Sequence, residues 1–180
     1  MTSELHIHRL PSGQIFLPPS KSVGHRALIC AALAGGGTVH NPGENEDIRA
    51  TLRCLEALKN GETLLNCGES GSTLRFLLPV TAALGIPARF IRRGRLPHRP
   101  LSPLYEEMIR HGAVLPADPE TEPLPLTGQI KAGRYAIDGG VSSQFVSGLL
   151  MAMPLMGALS ELSLTGVVES ADYIRITTDA

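Results

Sequence analysis

Three stretches share one design: Ser20-Lys21-Ser22-Val23-Gly24-His25-Arg26, Glu69-Ser70-Gly71-Ser72-Thr73-Leu74-Arg75 and Val141-Ser142-Ser143-Gln144. Each sets small hydroxyl residues or glycine ahead of an apolar run: Ala27 to Ala34, Phe76 to Leu84, Phe145 to Met156. Each run is closed by a glycine, at Gly35, Gly85 or Gly157. Serine caps a helix start by accepting from a free N–H, and glycine ends a helix, so the pattern predicts three helices. A helix start presents unpaired N–H groups and a partial positive charge, which favours anions. Lys21, Arg26 and Arg75 add full charges within the first turns. Three such starts in one domain predict a pocket for a multiply anionic small molecule.

Working outward, Leu5 to Leu10 alternates apolar and polar residues and reads as a strand, and Gln14 to Leu17 as a second short one. Pro18-Pro19 stops it. After helix one and Gly35-Gly36-Gly37, Thr38 to Asn41 reads as a strand. A helix starting near Asn45 shows Ile48, Leu52, Leu55 and Leu58 at helical spacing, with Glu46 and Asp47 complementing its dipole, and stops at Asn60-Gly61. Further strands are predicted at Thr63 to Cys67, Ala88 to Arg92, Leu126 to Ile130, Arg134 to Ile137 and Leu162 to Val168. A helix is predicted from Pro100 to Arg110, a loop from Pro116 to Pro125, and another helix start at Ser170. Pro79 and Pro154 are expected to kink the helices that hold them.

The order strand, helix, strand, helix, strand, strand therefore runs roughly twice, an internal repeat. Ser70 and Ser142 stand 72 positions apart, but Ser20 and Ser70 only 50. The shortfall falls after Lys59 and predicts a first unit lacking a hairpin.

Composition narrows the function. With 180 residues, 43% apolar and 18% charged, the chain fits one globular domain with a core or part of a larger one. A net charge of −1 gives no electrostatic support to a general nucleic-acid role, and 4% aromatics argue against base stacking. No apolar stretch is long enough to predict a membrane span, and the start lacks the pattern of a signal peptide. Three widely spaced cysteines fit a reduced, cytoplasmic protein better than a disulfide framework or a zinc site. His25, His40, His98 and His111 lack metal spacing and are expected to be exposed. Gly68 to Thr73 lacks the Gly-Lys-Ser/Thr ending of a P-loop. The arginines from Arg89 to Arg99, Arg99 excepted, also admit a plain reading as a solvated strand edge.

The motifs taken together resemble one family, the 5-enolpyruvylshikimate-3-phosphate (EPSP) synthases. Leu17-Pro18-Pro19-Ser20-Lys21-Ser22-Val23-Gly24-His25-Arg26-Ala27 is similar to its LPGSKSxxxRA signature, and Gly68 to Arg75 to its GNAGTAxR or GESGSTxR segment. Arg95-Leu96-Pro97-His98-Arg99-Pro100 resembles RxxxRP. Asp138 to Phe145 resembles DGSxSSQF, and Ser170 to Thr177 resembles SxxYIxIT. Five segments in the family's order cover nearly the whole chain.

The resemblance implies an α/β fold of repeated βαβαββ units with helices inside and sheets outside. Residues 1–16 would hold strands that in the family join another domain. Residues 17–180 would be the enolpyruvyl transferase domain, shortened after Lys59 and cut before its end, so a fragment is expected. The implied reaction moves the enolpyruvyl group of phosphoenolpyruvate to the 5-hydroxyl of shikimate 3-phosphate, in the route to chorismate and aromatic amino acids. It needs no metal or organic cofactor. By position, Lys21 would lie between the substrates, and Ser22 and Arg26 would grip the shikimate carboxylate. Ser142, Ser143, Ser170 and Gln144 would serve the 3-phosphate, with Gln144 also reaching the intermediate, and Tyr173 the shikimate ring. Gly71 and Arg99 would hold phosphoenolpyruvate, where glyphosate binds in the family, supported by Ser72, Arg75 and Arg95.

Some positions depart from the pattern. Glu69 stands where many members have Asn, and Ala171-Asp172 replaces the common Lys/Arg-Pro before Tyr173. The family's second domain, with its proton-transfer carboxylates, has no counterpart here, so the isolated chain is expected to be catalytically incomplete; the complete family enzyme is expected to be a monomer. Two other readings stand beside this one. The first is a non-catalytic anion-binding fragment. The second is a relative of the UDP-N-acetylglucosamine enolpyruvyl transferases, whose Lys-Asn-Ala at the first site and reactive cysteine near the Arg95 region do not appear.

Overall fold

At the centre lies the second of the three capped helices. Its sequence, GSTLRFLLPVTAAL, is apolar around most of its girth, and such a helix is stable only when surrounded. A computed structural model describes residues 13, 14, 16–168 and 170–180. In it twelve of that helix's fourteen residues are buried. The helices, in chain order, are α1 (Lys21–Leu33), α2 (Glu46–Lys59), α3 (Gly71–Leu84), α4 (Leu104–Arg110), α5 (Ser143–Ala152) and α6 (Ala171–Thr178). The strands are β1 (Leu64–Gly68), β2 (Ala88–Arg92), β3 (Ala113–Val114), β4 (Leu124–Gly128), β5 (Arg134–Asp138) and β6 (Glu161–Thr165).

The segment β1-α3-β2-α4-β3-β4 is one βαβαββ unit, and β5-α5-β6-α6 repeats its first four elements. In that unit's sheet the strand order is β1-β2-β4-β3, with β1 and β2 parallel and the other pairs antiparallel. β5 and β6 form a separate parallel pair around the crossover helix α5. Strand faces alternate. Ala88, Phe90 and Arg92 of β2 point inward while Arg89 points out, and Tyr135 and Ile137 of β5 do the same. The sheets thus lie outside and the apolar helices inside, as the resemblance implied.

α3 and α5 touch most closely where Pro79 leaves the Arg75 carbonyl without its helical N–H partner. Gly148 of α5 faces that carbonyl; a Cβ there would lie 2.3 Å from the Arg75 oxygen. α5 ends as an α-helix at Ala152, and Pro154 falls in a following 3-10 turn, Met153–Met156.

Several predicted elements differ. Gln14, Phe16 and Leu17 are not in a strand, and the expected strand from Leu5 to Leu10 lies outside the described residues. Thr38 to Asn41 is irregular: no strand among the described residues lies beside it, and Asn41 turns to φ 50°, which breaks an extended run. α4 begins at Leu104 rather than Pro100, since Pro103 disfavours helical backbone at Ser102. β4 starts two residues early because Leu124 and Leu126 face the core opposite Phe90 and Ala88. No described helix is long and apolar enough to cross a membrane.

Candidate functional site

The three capped helices start on the same side of the core. Ser20, Ser70 and Ser142 each take extended backbone, and each hydroxyl accepts from a first-turn amide: Val23, Thr73 and Gln144 respectively. The α1 and α5 starts meet in a recess of about 180 Å³. Lys21, Ser22 and Arg26 of α1 line it, with Ser72 and Phe76 of α3, Ser143 and Gln144 of α5, and Tyr173 of α6. Ser143 and Gln144 also border a second recess of about 300 Å³, completed by residues 139–142 and Ser170. A third, also about 300 Å³, is bounded by Glu69, Arg95, Leu96 and Arg99.

Gln144 ties α5 to α3. Its carbonyl oxygen accepts from Arg75 Nη1 at 2.7 Å, and its amide nitrogen donates to Ser72 Oγ at 3.0 Å. Arg75 also donates to the Pro100 carbonyl at 2.9 Å and lies over the Phe145 ring. Burial, then the nearby charge of Arg99, pushes the Arg75 guanidinium down to about 10. Both arginines crowd Gly71: a Cβ there would sit 3.0 Å from Arg99 Nη1 and 3.2 Å from Arg75 Nη1. Two guanidinium groups beside a helix N-terminus make a strongly cationic spot.

Arg26 is 3% exposed and largely engaged within the protein. Nε donates to Thr177 Oγ1 at 2.6 Å, Nη1 to the Ser22 carbonyl at 2.8 Å, and Nη2 to Ser147 Oγ at 2.7 Å and the Tyr173 carbonyl at 3.1 Å. It therefore anchors α6 to α1 and α5 while still bordering the first recess. Lys21 Nζ lies 2.6 Å from Asp47 Oδ2. Partial burial works against the Asp47 charge, but the Lys21 hydrogen bond and charge outweigh it and, with Ser70, hold the carboxyl below its usual range.

The sequence reading missed Asp47 as a partner, because Glu46-Asp47 looks like ordinary helix-start acidity. It also placed His25 at the surface. His25 is 1% exposed, with Nδ1 2.7 Å from Thr51 Oγ1, and burial pushes its imidazole down to about 4. One helical turn from Lys21 and beside Arg26, His25 sits on the inward face that Gly24 opens toward α2. His111 is also largely covered, stacked on Tyr135 with ring centroids 3.7 Å apart. The arginine-rich stretch divides. Arg92 is buried and bonded to Glu122 and to the Pro119 and Thr121 carbonyls, whereas Arg95 and Arg99 face the third recess.

Comparison with known proteins bears on these positions. The profile of the family "EPSP synthase (3-phosphoshikimate 1-carboxyvinyltransferase)" matches residues 7–63 and 59–180. A 3-phosphoshikimate 1-carboxyvinyltransferase of Clostridium kluyveri is 40% identical over 187 residues, covering 93% of this chain and 44% of its own length. One from Clostridium perfringens is 38% identical with the same coverage. Two structures of EPSP synthase from Acinetobacter baumannii match with TM-scores of 0.66 and 0.68 at 23% identity, covering 91% of this chain and 42% of theirs, so they bear on the fold. The chain spans less than half the length of the curated relatives it matches. With profile matches reaching from residue 7 to residue 180, the chain belongs to the EPSP synthase family.

Proposed function

We propose that this chain forms the part of an enolpyruvyl transferase that binds shikimate 3-phosphate and one side of phosphoenolpyruvate. The observation that carries this reading is the meeting of Lys21, Ser143 and Gln144 in one recess, with Arg75 and Arg99 together at the start of α3. The reaction transfers the enolpyruvyl group to the 5-hydroxyl and releases phosphate, so the site must hold two anions close together against their repulsion.

In this reading the recess beside Ser142, Ser143 and Ser170 takes the 3-phosphate, and the free amides of α5 supplement the hydroxyls. Ser22 and the remaining donor capacity of Arg26 face the shikimate carboxylate, and Tyr173 lies along the ring. Gly71 lets the phosphoenolpyruvate phosphate approach the α3 amides under Arg99, with Arg75 and Arg95 supporting the charge. Lys21 stands between the substrates. Gln144, fixed by Arg75 and Ser72, presents its amide to the reacting carbon. Charge-assisted contacts contribute about 1.5–3 kcal/mol each and helix ends about 0.3–1 kcal/mol, so a handful supports micromolar binding.

Proton transfer and turnover are assigned to the larger part of the family enzyme that this chain's match does not span. The division at residue 16, the shortened first unit and a cytoplasmic setting belong to the same proposal. Calorimetric titration with shikimate 3-phosphate, run beside a phosphate-release assay, tests it. Binding without turnover is expected, and Lys21→Met should lower affinity at least about tenfold, the loss of one charge-assisted contact. Unchanged affinity in Lys21→Met would remove the pocket assignment.

A further inference from the structure

Five groups behind Lys21 form an unbroken polar line through the core. His25 Nδ1 lies 2.7 Å from Thr51 Oγ1, and Thr51 Oγ1 lies 2.7 Å from Thr73 Oγ1. Thr73 Oγ1 lies 2.8 Å from Ser70 Oγ and 3.3 Å from the Asp47 carbonyl. Asp47, whose carbonyl the Thr73 hydroxyl meets, in turn holds Lys21 Nζ at 2.6 Å through its carboxylate. His25, Thr51, Thr73 and Ser70 are all at most 2% exposed, so water does not compete.

Counting protons fixes the direction. A carbonyl only accepts, so Thr73 gives its one hydroxyl proton toward the Asp47 carbonyl and Ser70 Oγ. Ser70 Oγ then accepts from the Thr73 amide and the Thr73 hydroxyl. Thr73, having donated, accepts from Thr51, and Thr51, having donated, must accept from the ring. Nδ1 of His25 therefore carries the hydrogen and Nε2 is a bare lone pair. Nε2 has no partner among the described residues, and a buried lone pair left unpaired is more tolerable than a buried orphan N–H, so the opposite direction is the worse one.

We propose that His25, Thr51 and Thr73 form one directional hydrogen-bond chain that ends on the Ser70 hydroxyl and the Asp47 carbonyl, and that through Asp47 it holds the Lys21 ammonium in place. His25 is then a positioning residue of the anion site, acting at four removes from Lys21. The proposal draws its functional meaning from the binding reading above, but the hydrogen-bond chain stands on geometry alone. Networks of this kind align their end groups more firmly than a single pair does.

The test starts with the unmodified protein. Ring-nitrogen NMR, with the His25 signals assigned by their loss in His25→Asn, should show the Nδ1–H tautomer with an unprotonated Nε2. An Nε2–H tautomer would overturn the proposal. The Lys21 ammonium signal in lysine-labelled protein should persist in wild type and in Thr51→Ser and broaden away in Thr51→Val. A Lys21 signal indifferent to Thr51→Val would also overturn it. Shikimate 3-phosphate affinity should fall about tenfold in Thr51→Val and recover in Thr51→Ser. If wild type binds no shikimate 3-phosphate, the binding reading falls, and the two spectra still decide the hydrogen-bond chain.

Discussion

The half of the molecule around α3 and α5 and the half around α1 and α2 are finished differently. β1, β2, β4 and β3 cover one flank of α3, and β5 and β6 accompany α5. β1 also packs against α2, but α1 and α2 carry no sheet of their own among the described residues. Instead an apolar groove of about 570 Å³ lies open between them and the end of α3, lined by Leu28, Leu33, Leu52, Leu55, Val80 and Leu84. Leu52 and Leu84 are about two-fifths exposed there. Only four residues separate Lys59 from β1, too few for a hairpin. Yet the starts of α1, α3 and α5 are built alike, each with a serine cap and a hydroxyl facing the recess. The contrast teaches that the anion end depends on caps and buried side-chain bonds near the helix starts, while sheet cover governs the far end.

The sharpest way to break this contrast is to remove apolar volume from each half. Leu77 is fully buried in α3, so Leu77→Ala should cost about 4 kcal/mol in urea unfolding. Leu52→Gln, at the open groove, should change stability by at most about 0.5 kcal/mol. A large loss from Leu52→Gln would mean that the groove is covered in solution and that the two halves are finished alike.

The same contrast explains what the sequence disclosed. The three capped helices, β2 and the βαβαββ order were legible because caps, glycine stops and periodicity are local signals. Thr38 to Asn41 was misread because a strand needs a neighbour, and the chain between Lys59 and Leu64 is too short to supply one. Convergence of Lys21, Ser143 and Gln144 was legible through motif order rather than through any local rule. Asp47, His25, Thr51 and Thr73 were not, since a threonine in mid-helix and a histidine between two cations carry no mark of joining a core network. Their meeting depends on how α1, α2 and α3 pack, with Gly24 so close to the Pro42 carbonyl that a Cβ would lie 2.4 Å from it.

His25 sits on the seam between the two halves and supplies the next largest effect. Its imidazole falls from 6.5 to about 4 on burial. Above pH 6.5 neither the folded nor the unfolded state carries the proton, and stability is complete. Between 6.5 and about 4 the unfolded chain takes up the proton and the native one does not, so stability falls with pH, by about 3 kcal/mol in all. Below about 4 both states are protonated and the loss stops. Asp47 acts in a separate window: its lowered carboxyl contributes stability above the ordinary aspartate value, lost as pH falls through the lower folded value. Urea unfolding at pH 7 and pH 4.5 should show most of the His25 loss in wild type and little of it in His25→Asn. An equal fall in both proteins would place the acid sensitivity elsewhere.

The smallest expected effect on stability separates the two helix starts themselves. At α1 the cation is matched, Lys21 against Asp47. At α3, Arg99 has no acidic partner among the described residues, and Arg75 is bonded only to neutral groups. The α3 start therefore gains more from an added anion. Gly71→Ala probes it, because the new methyl would press on the movable tips of two arginine side chains rather than on backbone. Stability should change by no more than about 0.5 kcal/mol, as those tips swing aside. In wild type, saturating inorganic phosphate should raise the melting temperature by mass action, and in Gly71→Ala that rise should be largely lost. A full phosphate-dependent rise in Gly71→Ala would show that the anion is held elsewhere than at the start of α3. The difference in charge balance between α1 and α3 would then have no bearing on binding.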